Sequence, residues 1–103
     1  MKLKRNVKLT DLKPQTVLGM AIAGAVYARF GAVVTFTSVD DSTHGAGSLH
    51  GDGYAFDCRT KDFAGDKHAL VAALKDALGP DFDVVLEDLG GPNEHVHVEY
   101  DPK

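Results

Sequence analysis

Apolar residues at Val17, Leu18, Ala21, Ile22, Ala25, Val26 and Phe30 recur at steps of three and four, the spacing of one helical stripe. They predict a helix over about Thr16 to Ala28, with Pro14 in its first turn and Gly31 at its end. A second stripe, Leu70, Val71, Leu74, Ala77 and Leu78, predicts a helix from about Asp66 to Leu78, capped by Asp66 and stopped by Gly79-Pro80. Elsewhere the period falls to two. Residues 32–38, 54–59, 82–87 and 95–100 are rich in β-branched and aromatic side chains and read as strands. Val39 to Gly51, thick with Asp, Ser, Thr and Gly, reads as a loop, and Gly90-Gly91-Pro92-Asn93 as another. These elements predict an α+β domain, two helices packed on a small, largely antiparallel sheet.

Alternation also sorts the strands into faces. Ala55, Asp57 and Arg59 share one face, while Tyr54, Phe56 and Cys58 take the other. In the last strand Val96, Val98 and Tyr100 oppose His95, His97 and Glu99, which turns His97 away from the core.

At 103 residues with 44% hydrophobic positions, the chain fits a single domain over residues 1–103. Its formal net charge of −4, with no basic cluster beyond Met1-Lys2-Leu3-Lys4-Arg5, argues against nucleic acid as the partner. Cys58 is the only cysteine, so an internal disulfide is excluded; a small buried hydrophobe is the expected role, with a Cys58–His50 thiol pair as the remote alternative. The basic start followed by Val17 to Ala25 imitates a signal peptide, but Asp11 and Pro14 interrupt it and the apolar stripe runs past any cleavage site. The apolar run is also shorter than the roughly 20 residues of a membrane span. No membrane insertion and a cytoplasmic site of synthesis are therefore expected.

The chemistry concentrates in two segments, Ser48-Leu49-His50-Gly51-Asp52-Gly53-Tyr54-Ala55-Phe56-Asp57 and Glu94-His95-Val96-His97. Together they supply two imidazoles and a carboxylate, His50, His97 and Asp57, with Glu94 as a second carboxylate. A catalytic zinc wants three protein ligands, an open fourth position and a base nearby. Gly53 lets the backbone turn between His50 and the strand, and small Ala55 leaves room beside Asp57.

The first segment reads S-x-H-x-x-G-x-A-x-D. The second reads E-x-x-H, followed by Glu99 and Tyr100. In this the chain resembles the zinc D-Ala-D-Ala carboxypeptidases, a family that includes phage L-alanyl-D-glutamate endopeptidases and shares its fold with the Hedgehog signalling domain. The shortness of the chain and the Ser48-Leu49-His50 wording look most like phage or prophage members. The resemblance implies Zn2+ as cofactor, His50, Asp57 and His97 as ligands, Glu94 as general base, and peptidoglycan peptides as substrate. A phage-encoded, endolysin-like protein of this kind would leave the cell by other means than a signal peptide, or ride on the virion.

Many members carry an arginine shortly after the strand that precedes the motif. Here the corresponding run is Ser38-Val39-Asp40-Asp41, without a cation, and Arg59 is the nearest substitute as electrophilic catalyst. Ser48, His44 and His95 are expected to border the substrate, with His95 also a fallback ligand; Asp52 and His68 read as solvated surface residues. The reading is a zinc peptidase of cell-wall peptides; its alternative is a non-catalytic zinc-bearing module of a virion or of wall binding that keeps the same fold.

Overall fold

Pro14 opens the first helix, α1, which runs Pro14–Arg29 and ends as Gly31 takes a left-handed φ of 75°. The structure, a computed structural model, describes residues 1–7, 9, 12–39 and 54–102. In chain order it contains β1 (Lys2–Leu3), α1, β2 (Thr35–Val39), β3 (Ala55–Arg59), α2 (Lys67–Leu78), β4 (Phe82–Glu87) and β5 (His95–Tyr100). The last two strands have the limits that the period-two pattern predicts. β2 starts later than expected, because the backbone N–H of Ala32 still donates to the Tyr27 carbonyl at the helix end.

The five strands form one sheet in the order β1-β2-β3-β5-β4. β1 runs parallel to β2, and the other three pairings are antiparallel. β1 itself is unforeseen: two residues are too few to show a period. The helices pack against each other and against the sheet, α2 mainly along β4. The architecture is therefore α+β, two helices on a five-stranded mixed sheet.

α1 is rotated from the orientation that its stripe predicts. It buries Thr16, Gly19, Met20, Ala23, Val26 and Tyr27, and leaves Val17 and Leu18 more than half exposed. This helix is apolar nearly all round, so periodicity alone cannot choose its inward face. Close approach decides it. A Cβ on Gly19 would lie 2.9 Å from Phe82 Cε1 and 3.2 Å from Phe56 Cε1, so only glycine lets the helix sit this near the sheet. Tyr27 then reaches across to donate its hydroxyl to the Arg59 carbonyl at 3.0 Å.

α2 follows its pattern more closely. Asp66 caps it by accepting the backbone N–H groups of His68 and Ala69, at 2.9 and 3.2 Å. Leu70, Leu74 and Leu78 are buried; Ala77 is exposed, and Ala73 packs against the core in its place. Phe36, Phe56, Cys58, Val84, Val96 and Val98 line the inner face of the sheet and meet these helices. The opposite face carries Asp57, His95, His97 and Glu99. Among the described residues no helix is long and apolar enough to cross a membrane.

Candidate functional site

A single row of residues crosses the outer face of the sheet. Ser38 on β2 lies opposite Asp57 on β3, Asp57 opposite His97 on β5, and His97 opposite Val85 on β4. Directly opposite residues point to the same side of a sheet. The β3–β5 register thus brings together Asp57 and His97, which are 40 positions apart in the sequence. Their side chains touch: His97 Nδ1 donates to Asp57 Oδ1 at 2.9 Å, and His97 Nε2 donates to Glu99 Oε1 at 3.0 Å.

Two carboxylates on one imidazole favour its cation. The Asp57 bond does most to raise the His97 pKa, to about 9; partial burial opposes it and Glu99 adds to it. His95, opposite Arg59 on the same face, donates to the Asn93 carbonyl at 2.6 Å and to Glu87 at 2.9 Å, with Asp57 Oδ2 3.9 Å away. Burial pulls its pKa down, but the Asn93 carbonyl and the charges of Asp57 and Glu87 outweigh that and leave it raised.

Glu94 stands elsewhere. Its side chain is almost fully buried on the inner side of the sheet, against the first turn of α2. Lys67 Nζ donates to its two oxygens at 2.6 and 3.0 Å, buried Thr60 Oγ1 at 2.9 Å, and the Gly90 N–H at 3.1 Å. The Lys67 bond holds its pKa below the usual carboxylate range; burial opposes this, and Gly90 and Thr60 assist. The structure does not bring Glu94 to the Asp57–His97 pair, where a general base would be needed. The physical reason is anchoring: Glu94 lies just before β5, at the end of a turn, and Lys67, Thr60 and the Gly90 N–H hold its carboxylate away from the strand face that carries His97.

The other expected residues fall out as follows. Asp57, His95 and His97 share the outer face. Arg59 borders a separate cavity of about 270 Å3 with Lys2, Thr35 and Asp62. His44, Ser48, His50 and Asp52 lie outside the described residues, as does most of the loop predicted from Val39 to Gly51. Cys58 is fully buried on the inner face, and burial, then Asp57, pushes its thiol pKa up, which leaves it inert as a nucleophile. His68 is exposed.

Neighbouring side chains hold both groups in place. Glu99 touches His97, and its position two residues on, with the same parity, was legible in the sequence. Lys67 and Thr60, which hold Glu94, gave no such signal. From His97 and Glu99 a groove of about 720 Å3 runs past Asp83 and Val85 to Lys75 at the C-terminal end of α2. Asp57 and His97 fit a zinc site in ligand type and adjacency. Among the described residues, however, no three such side chains are grouped to hold a metal ion, and the third expected ligand, His50, lies outside them.

Comparison of the chain with protein-family models, with curated proteins and with solved structures gives no match.

Proposed function

We propose that this domain is a zinc-dependent peptidase acting on peptides of the bacterial cell wall, with His50, Asp57 and His97 as the metal ligands. The observation that carries the proposal is the contact of Asp57 with His97 on the outer sheet face, at the mouth of a groove. The substrate class rests on the resemblance of the two motif segments to the zinc carboxypeptidase family.

A bound zinc ion would supply Lewis acidity there, polarising the scissile carbonyl and activating water near neutral pH. The protein's own residues divide the remaining work. His97 must lose its proton to serve as a ligand, and Asp57 fixes the ring that presents it. With Glu94 committed to Lys67, Glu99 is the carboxylate adjacent to His97 that can accept a proton. His95, whose protonated form the Asn93 carbonyl and Glu87 favour, can donate a hydrogen bond to developing negative charge. The groove offers an extended peptide an apolar floor at Val85.

One observation favours the second reading, a non-catalytic zinc-bearing module: the carboxylate that the motif marks as the base is occupied by a structural ion pair. A single experiment separates the two. Zinc content and release of new amines from purified peptidoglycan are measured for the wild type, Asp57→Ala, Glu99→Gln and Glu94→Gln. A peptidase binds about one zinc per chain, loses it in Asp57→Ala, and loses most turnover but no zinc in Glu99→Gln. Zinc-loaded wild type that releases nothing from walls of several cross-link types refutes the peptidase and leaves the module. Full zinc in Asp57→Ala refutes the ligand set.

A further inference from the structure

Ser38 Oγ is the one buried side-chain oxygen or nitrogen among the described residues that has no hydrogen-bond partner. Burying a hydroxyl without a partner destabilises a fold, so such a group calls for a physical reason. Its position supplies one. Ser38 lies directly opposite Asp57 in the β2–β3 pairing.

That placement is itself the product of an irregularity. Phe36 pairs with Cys58 in one register, while Ser38 pairs with Asp57 and Val39 with Phe56 in the next, so β2 holds one extra residue, Thr37. Without this bulge Thr37 would oppose Asp57, and Ser38 would oppose Phe56 at a core-facing position. Bulges commonly re-aim a side chain next to a functional site. Here the re-aimed side chain is the unpaired hydroxyl, and its new neighbour is the candidate ligand.

We propose that Ser38 is a positioning residue for Asp57, its hydroxyl donating to the Asp57 carboxylate when the site holds zinc. The inference rests on the zinc reading above. Asp57 Oδ1 accepts from His97 Nδ1. A carboxylate offers about four acceptor positions, so Asp57 can take the Ser38 hydroxyl as well as a metal ion. Directly opposite Cβ atoms in a sheet stand about 4.5–5.5 Å apart, a span that a rotated hydroxyl and a carboxylate can bridge. Partners of this kind orient a ligand and tighten metal binding by roughly 10- to 100-fold.

The test measures zinc affinity, by competition with a chromophoric chelator, and the melting temperature of the chelated protein, for wild type, Ser38→Ala and Ser38→Thr. The Co2+ spectrum of each is recorded as well. Ser38→Ala is expected to bind zinc roughly 10- to 100-fold more weakly and to shift the Co2+ bands, yet to melt at or above the wild-type temperature when chelated. Ser38→Thr, which keeps the hydroxyl, is expected to restore affinity. A merely structural serine would give the reverse, a less stable chelated protein with unchanged zinc affinity, and that result overturns the proposal. Weak binding by Ser38→Thr as well as Ser38→Ala also overturns it, since the hydroxyl would then not be the agent. If the wild type binds no zinc, the metal reading falls and this one with it; if the wild type binds and Ser38→Ala binds equally, only the role of Ser38 falls.

Discussion

Replacing Glu94 by alanine removes the acceptor on which three elements converge: Lys67 at the start of α2, Thr60 just after β3, and Gly90 in the β4–β5 loop. Breaking a buried ion pair costs about 3–5 kcal/mol when the orphaned charge stays buried. Lys67 keeps 24% of its side chain exposed, so it can turn to water, and its share falls toward the value of a surface pair, under about 1 kcal/mol. The Thr60 hydroxyl, fully buried, has no such escape. Losing its charged acceptor, together with that of the Gly90 N–H, brings the total to about 3 kcal/mol. For a domain of this size that is a fall in melting temperature of roughly 12–24 °C. Glu94→Gln keeps the shape but offers one acceptor oxygen in place of two, so a smaller loss of about 1–2 kcal/mol is expected.

The assay is thermal and urea unfolding of wild type, Glu94→Ala, Glu94→Gln, Lys67→Met and the Lys67→Met, Glu94→Gln pair. The two single changes at this ion pair should couple, the double variant losing less than their sum. The sign with pH follows from the depressed Glu94 pKa. The carboxylate's contribution is present above its unfolded pKa, near 4.5, and is lost as pH falls through the lower folded value. Glu94→Gln should therefore flatten the acid limb of the stability curve. A melting temperature of Glu94→Ala within about 3 °C of wild type would refute the anchoring role and return Glu94 to candidacy as a base.

Two further outcomes follow from packing and charge. Gly19→Ala gains about 1 kcal/mol of helix propensity but forces a methyl group against the Phe82 and Phe56 rings, an overlap that costs about 1–3 kcal/mol; the urea midpoint should fall, and a rise would show that α1 does not rest there. In chelated protein the raised His97 pKa makes its contribution to stability fully present below about pH 6.5 and lost as pH climbs through about 9. Asp57→Asn, which leaves only Glu99 on the imidazole, should flatten most of that slope, which melting curves between pH 6 and 10 will show.

The faces of β3 and β5 were legible in the sequence because a strand has a strict period of two. That rule alone placed Asp57, Arg59, His95 and His97 on one side, and Phe56, Cys58, Val96 and Val98 on the other. Glu94 precedes β5, so the rule does not place it, and by the motif its three-residue offset from His97 suits a base beside the metal. Only the buried contacts with Thr60 and Lys67 settle where this carboxylate goes. The caps of α2 were equally local, since Asp66 and Gly79 act through their own backbone neighbours.

What lay beyond the sequence depended on contacts between distant segments. A helix apolar on most sides carries no signal of which side turns inward, and for α1 the choice fell to the fit of Gly19 against two phenyl rings. The pairing of β3 with β5 in the register that sets Asp57 against His97, and the bulge that sets Ser38 against Asp57, belong to hydrogen bonds between strands. Alternation fixes the face of each side chain along one strand. Which residue stands opposite it across the ladder is decided by the tertiary fold, because register is a relation between two chain segments and not a property of either.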